Sequence, residues 1–149
     1  MPLVSIIMNC FNCSAYLSEA LDSVSQQTFK DYEIIFWDNL STDGSGEIAL
    51  RYGEPLRYFR GKEFLSLGSA RNAALEKVRG KYIAFLDCDD VWFPEKLDRQ
   101  VKLLESKEEL GLVYSDSLVI DSQGNLLRKT YFRIPKPSSG RVFNNLLVC

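Results

Sequence analysis

The 149-residue chain sets 18 Lys plus Arg against 20 Asp plus Glu, a formal charge of −2, and so lacks the basic face that drives nonspecific nucleic-acid binding. It contains no histidine, which excludes an imidazole base, a Ser/His/Asp or Cys/His triad and imidazole metal ligands, and leaves acid–base and metal chemistry mainly to carboxylates. The length suits about one domain that can fold alone; no apolar run approaches the roughly 20 residues that span a bilayer, the start is unlike a signal peptide, and a cytoplasmic location is expected.

Leu3 to Met8 is a continuous apolar and β-branched run, the pattern of a central parallel strand covered on both faces. After Asn9 to Cys13, Ser14 is placed to cap a helix whose Leu17, Ala20, Leu21 and Val24 recur at helical spacing. Glu33 to Trp37 reads as a second apolar strand ending at Asp38, followed by a turn-rich loop of Asn39, Ser41, Thr42, Asp43 and Gly44 and a short helix over Gly46 to Tyr52. Leu56 to Phe59 is a third strand. Gly68 opens a helix through Ala70, Ala73, Ala74 and Val78 that stops at Gly80. Tyr82 to Leu86 is a buried-looking fourth strand, and Pro94 stands where a first helical residue is favoured, ahead of Leu97, Val101 and Leu104 on one face. Leu112 to Ile120 is a further strand candidate with a turn at Ser122 to Asn125. This alternation predicts a Rossmann-like, mostly parallel α/β sheet flanked by helices.

The tail changes character. Ile134 to Gly140 is rich in proline and serine and reads as a connector, and from Arg141 onward Val142, Phe143, Leu146 and Leu147 begin a new apolar helical face. We expect a domain over 1–133 and, over 134–149, a connector and the start of an incomplete further region. An ordinary C-terminal helix docked on the sheet is the alternative. The cysteines, Cys10, Cys13, Cys88 and Cys149, are scattered. Cys10 and Cys13 have the gap of a redox or zinc pair, but no second pair follows, and buried or idle thiols in a reducing compartment are expected.

The fourth strand leads into Asp87, Asp89 and Asp90. At about 5 Å and an effective dielectric of about 20, two such carboxylates repel by roughly 3 kcal/mol, so the cluster calls for a cation or a shared proton. Hard oxygen ligands suit magnesium or manganese, which complete their shells with water and substrate phosphates. Ligands of open α/β sheets bind beyond the carboxyl ends of the strands, where the first strand delivers Asn9 and Asn12, the second Asp38, and the fourth Asp87 and Asp89. The first turn has none of the glycines of a dinucleotide site and the chain has no Walker loop, so phosphate charge would be neutralised by the metal.

Four motifs in order resemble those of family 2 glycosyltransferases, inverting enzymes of the GT-A fold that use nucleotide-diphosphate sugars. They are Val4-Ser5-Ile6-Ile7 with Asn9, Phe11 and Asn12; Asp38-Asn39 with Ser41-Thr42-Asp43-Gly44; Gly68 with Ala70-Arg71-Asn72-Ala73; and Gly80 with Tyr82 through Asp90. The resemblance covers nearly the whole chain and makes residues 1–133 the donor-binding portion. It implies that Asp38 hydrogen-bonds the base, usually uracil, that the backbone around Phe11 lines the base pocket, that Asp87 lies near the ribose, and that Asp89 ligates the Mn or Mg bridging the diphosphate. Arg71 falls where the family has an arginine close to the nucleotide. The sequence departs from the family at Asn9, commonly proline, and at Asn39, commonly a second aspartate.

The resemblance further implies transfer of a sugar, from a UDP-sugar, to the hydroxyl of a glycan or glycolipid acceptor in polysaccharide or glycolipid synthesis, with peripheral membrane association of a longer protein. The family's base lies downstream, and neither Asp116 nor Asp121 matches its motif, so this portion is expected to bind donor and transfer sugar poorly or not at all by itself. Plainer roles stand beside these. Asp38 and Asp43 would merely shape a turn, Asp89 or Asp90 would cap the turn before Pro94, Arg71 would be a solvated charge, and Trp92 and Phe93 would pack as core beneath the site. The rival functions are a noncatalytic nucleotide-sugar-binding module and a phosphatase of the haloacid dehalogenase type, whose acids normally follow the first strand.

Overall fold

The computed structural model describes residues 1–128, so the expected connector and apolar start over 134–149 lie outside the described residues. The chain divides into two compact units, residues 1–106 and a second from Lys107 onward. In the first, β1 (Val4–Cys10), α1 (Ser14–Ser25), β2 (Tyr32–Asp38), α2 (Ser45–Leu50), β3 (Leu56–Arg60), α3 (Leu67–Leu75), β4 (Tyr82–Phe85) and α4 (Lys96–Ser106) follow one another. The strands form one parallel sheet in the order β3-β2-β1-β4. Successive strands step outward from β1 to β3, and the chain then crosses to the other side of β1 for β4. The strand order therefore reverses between β1 and β4, which is where such sheets bind ligands.

The apolar run of β1 is explained by its central place: Val4, Ile6, Met8 and Cys10 join the helices carrying Leu17, Leu21, Leu97 and Val101 on one face, while Ile7 meets Ile35 and Ala74 on the other. Each such fully buried aliphatic side chain contributes about 1.5–3 kcal/mol. β4 differs from the expectation of burial. Ile83 and Phe85 are exposed: β4 is an end strand that pairs with β1 on one side within this sheet, and the Arg71 guanidinium lies over the Phe85 ring.

Polar bonds between segments correct several boundaries. Ser14 does not cap α1; it is the first helical residue after Cys13, and its N–H donates to Asp43 Oδ2 at 2.9 Å, while Cys13 N–H donates to Ser45 Oγ. The cap is thus supplied by the loop after β2. α3 begins one residue before Gly68, capped by Ser66, and ends at Leu75. Pro94 is not a first helical residue, because its carbonyl accepts the Thr28 N–H at 2.9 Å. α4 starts two residues later, its Leu97 N–H received by Oε1 of the buried Gln27. Together with Ser23 Oγ accepting the Trp92 N–H, these bonds turn Trp92 inward. Phe93, expected in the core, points outward and is 64% exposed.

Gly80 is required by close approach. A Cβ there would lie 2.6 Å from the Ser5 nitrogen and 2.8 Å from Ser5 Oγ. Its own N–H donates to Ser5 Oγ, and Ser5 in turn donates to Glu33 at 2.6 Å. Glu33 also accepts from Arg57 at 2.8 Å and from the Arg79 N–H at 2.8 Å. Desolvation opposes ionisation of this buried carboxylate, but the bonds from Ser5, Arg57 and Arg79 outweigh it and hold the pKa below the ordinary range.

The expected strand over Leu112 to Ile120 does not form as such. Among the described residues from Lys107 onward, Val119–Ile120 (β5) pairs antiparallel with Leu126–Arg128 (β6) across the predicted turn. An apolar run of that length gives no periodicity that separates a long strand from a short hairpin arm.

Candidate functional site

The carboxyl ends of β1, β2 and β4 bring the predicted polar residues to one edge. Cys10 and Asp38 are register partners at the ends of β1 and β2. β4 leaves the sheet three residues earlier, with Ile7 opposite Phe85. The turn that follows is fastened to β1 by the Leu86 N–H on the Ile7 carbonyl at 3.0 Å and by the Cys88 thiol on the Asn9 carbonyl at 3.4 Å. Alternation across this turn sends Leu86 and Cys88 inward and leaves Asp87, Asp89 and Asp90 exposed. The Asp90 N–H closes it on the Asp87 carbonyl at 3.1 Å.

The charges of Asp87 and Asp89 act on their neighbours. Partial desolvation by the atoms packed around the turn, and then the charges of Asp89 and Asp87, raise the Asp90 pKa. Burial pushes the Cys88 thiol up to about 12, with the same two charges adding to it. Arg71, from α3, donates to Asp87 Oδ1 at 2.9 Å, so the structure joins two residues singled out from separate motifs. Arg71 is therefore paired rather than simply solvated.

Asp38 sits differently from the expectation. It is fully buried. Oδ1 accepts the Ser41 N–H at 2.7 Å, and Oδ2 accepts the Tyr58 hydroxyl at 2.5 Å and Arg60 Nη1 at 2.7 Å. A base would reach Asp38 only after Tyr58 or Arg60 moved aside. In this arrangement Asp38 sets the wall: it closes the turn after β2 and aims Arg60, which also donates to the Ser41 carbonyl at 3.0 Å. Burial and the Asp38 charge raise the Tyr58 pKa, so the phenol remains a donor.

Phe11 is half exposed at the rim, edge-on to Phe64 with ring centroids 4.8 Å apart. The loop bearing Phe64 hangs on Asn39, whose Nδ2 donates to the Leu65 carbonyl at 2.8 Å and whose Oδ1 accepts the Leu65 N–H at 3.1 Å. An ionised aspartate could not donate the first of these bonds. The departure from the family pattern therefore has a structural reason. Asn12 holds a left-handed backbone (φ 53°), which asparagine tolerates, and its Oδ1 accepts the Thr42 N–H at 2.8 Å. Asp43 does shape the turn. Desolvation acts against its ionised form, but hydrogen bonds from Ser45 and Ser14 dominate and hold the pKa well below the usual range. At Asn9, Nδ2 is buried and has no hydrogen-bond partner among the described residues.

Sequence reasoning passed over Tyr58, Arg60 and Phe64. The available signal was a basic residue at the exit of the third strand.

The cysteines also depart from expectation. Cys10 and Cys13 are joined by a disulfide, not held as thiols. The sharp exit of β1 into α1 sets their Cα atoms 5.9 Å apart, within bonding range. Cys88 is a free, buried thiol.

A parallel sheet with this reversal and this edge has the fold of the GT-A glycosyltransferases. A mannosyltransferase from Pyrobaculum calidifontis, PcManGT, solved in complex with GDP-Man and Mn2+, matches with a TM-score of 0.65 and 27% identity over 69% of this chain and 32% of its own. S. aureus TarS 1-349 in complex with UDP-GlcNAc matches with a TM-score of 0.67 and 23% identity, covering 80% of this chain and 40% of that one, a likeness of fold. The model of Glycosyl transferase family 2 matches residues 5–145, and the chain belongs to that family. An uncharacterized glycosyltransferase of Methanocaldococcus jannaschii is 36% identical over 133 residues, 86% of this chain and 46% of that protein. The chain spans half or less of the length of the curated relatives it matches. Family membership sets aside the phosphatase reading, in keeping with acids that follow the fourth strand and not the first. No helix among the described residues is long and apolar enough to cross a membrane.

Proposed function

We propose that this chain is the donor-binding portion of an inverting glycosyltransferase that takes a UDP-sugar with a divalent cation. One observation carries this reading. Three carboxylates stand at the solvent-facing edge of the sheet's reversal point with, among the described residues, one guanidinium, Arg71, bonded to one of them, and partial desolvation and the other two charges raise the Asp90 pKa. Negative charge in excess, held on hard oxygen donors, fits magnesium or manganese. Asp89 would hold the ion, with Asp87 beside the ribose. When bound, the ion would supply a Lewis acid for the charge that develops on the leaving diphosphate.

The chain's own residues do the rest. Arg71 holds Asp87 in place and adds positive charge on the diphosphate side. Asp38, through Tyr58 and Arg60, keeps the base-side wall rigid, with Arg60 the group nearest solvent. Phe11 and Phe64 offer apolar faces to the base at the rim. The protein that holds the donor would act on a glycan or glycolipid acceptor at the cytoplasmic face of a membrane. The base that takes the acceptor proton is assigned to none of the described residues.

Isothermal titration with UDP, with and without Mn2+, tests the reading. Binding is expected only with the cation, and Asp89→Asn is expected to abolish it. Binding that ignores both the cation and the substitution would refute the proposal.

A further inference from the structure

Three sulfurs meet directly beneath the acidic turn. Cys10 ends β1, Cys13 stands at the N-terminus of α1, and Cys88 lies between Asp87 and Asp89, yet their Sγ atoms all fall within 4.8 Å of one another. Cys10 and Cys88 are buried, while Cys13 is only half-buried. A disulfide between Cys10 and Cys13 accounts for two of these positions, and the hydrogen bond of the Cys88 thiol to the Asn9 carbonyl does not explain why a third sulfur stands beside them. Ligation of one ion accounts for all three. Zinc–sulfur bonds of about 2.3 Å place two sulfurs on a tetrahedral ion roughly 3.8 Å apart, a spacing reached here by opening one bond and drawing Cys88 in by about an ångström.

At Cys10 and Cys13 the surroundings suit a thiolate, whereas at Cys88 burial and the charges of Asp87 and Asp89 oppose one, a cost the bound cation itself would offset. Ser41 Oγ lies 3.5 Å from Cys10 Sγ, within reach to donate to it. The Cys13 sulfur sits at the positive end of the α1 dipole, which favours the thiolate. The Cys10–Cys13 gap of two residues is that of zinc ligands, and three protein ligands with one side open to solvent is the pattern of a site that keeps water in its fourth position.

We infer that, with the Cys10–Cys13 bond reduced, Cys10, Cys13 and Cys88 form a three-thiolate site for one soft or borderline divalent ion of the zinc class, distinct from the carboxylate site above. A dithiol supplies the reduction: the Cys10–Cys13 bond breaks, its two sulfurs gain two electrons and two protons, and the dithiol closes to its own disulfide. The ion then displaces the three thiol protons to solvent. Disulfide and ion are alternatives, since both use the same two sulfurs.

The test uses the chain carrying Cys149→Ser, reduced with a dithiol, desalted without oxygen, and titrated with Cd2+. The sulfur-to-cadmium ultraviolet band is expected to saturate at one ion with three-thiolate intensity, and one ion is expected to shield three thiols from a thiol-reactive dye. Cys88→Ser is expected to lower the band by about a third, Asp89→Asn to leave it in place, and the oxidised chain to show none. A band unchanged by Cys88→Ser, or one or no thiols shielded, overturns the inference, as does shielding of two only. Should Cys88→Ser fail to fold, the thiol count on the unsubstituted trio decides alone. UDP binding is read separately, so loss of either reading leaves the other standing.

Discussion

Replacing Glu33 with glutamine isolates the buried polar junction that ties β4 to β1 and β2. The side chain keeps its shape but loses its charge, and one of its two acceptor oxygens becomes a donor facing groups that also donate. With the amide nitrogen in the Oε2 position Arg57 loses a 2.8 Å ionic bond, while Ser5 Oγ and the Arg79 N–H keep Oε1, the oxygen they already share, as a neutral and weaker acceptor. Hydrogen bonds to charged groups contribute about 1.5–3 kcal/mol each, and unpairing a buried ion costs roughly 3–5 kcal/mol. Arg57 is one-fifth exposed, so water can recover part of its loss, and about 2–4 kcal/mol is expected at pH 7. With a urea dependence of about 2 kcal/mol per molar, the midpoint should fall by about 1–2 M. The sign with pH is specific. The folded pKa of Glu33 lies below its unfolded value near 4.3, so its contribution is present above that value and is lost as pH falls through the folded pKa. Chemical denaturation of the two proteins from pH 7 to 3 should therefore show curves that converge below about pH 4. A midpoint loss under about 0.5 M, or a gap that stays constant to pH 3, would refute the reasoning.

Gly80→Ala places a methyl 2.6 Å from the Ser5 nitrogen, and because backbone cannot turn aside as a side chain does, about 2–3 kcal/mol should be lost, seen as a melting temperature lower by several degrees. Asp43→Asn weakens the acceptor for the first N–H of α1; a cap of this kind contributes about 1 kcal/mol, and since the folded pKa is strongly depressed the difference from the parent chain should begin to shrink only below about pH 4 and persist well into acid, as circular dichroism melts would report. Arg71→Ala removes an ion pair whose partners are both substantially exposed, so stability should change by less than about 0.5 kcal/mol, while UDP affinity in the presence of Mn2+ should fall about tenfold in titration calorimetry; unaltered affinity would remove Arg71 from the site.

The sheet was legible because central parallel strands must be apolar on both faces, and Leu3 to Met8 and Glu33 to Trp37 have no other plausible use. The exposed place of Asp87 and Asp89 beyond the fourth strand was legible because an apolar strand that runs into several acids must turn them to solvent or to a cation. What stayed hidden depends on which residues become neighbours across strands. The Tyr58 and Arg60 grip on Asp38 follows from the β2–β3 register, which no local pattern states. The third sulfur comes from a turn 75 residues beyond Cys13. Phe93 reads as core by composition, and its outward direction follows from backbone bonds to Thr28 and Gln27. The long fifth strand failed because β-propensity without a paired neighbour does not define an extent.

Asn39 has a consequence for how this sequence tolerates change. Its amide grips one residue, Leu65, with both hands, so one side chain supplies both of these hydrogen bonds to the segment that carries Phe64. A carboxylate at position 39 would break that grip and set a negative charge facing a carbonyl, unless residues 61–66 changed in concert to offer two donors instead. The identity of residue 39 and the path of that distant segment are thus coupled, and a single-residue exchange to aspartate should be harmful in this background unless residues 61–66 change with it.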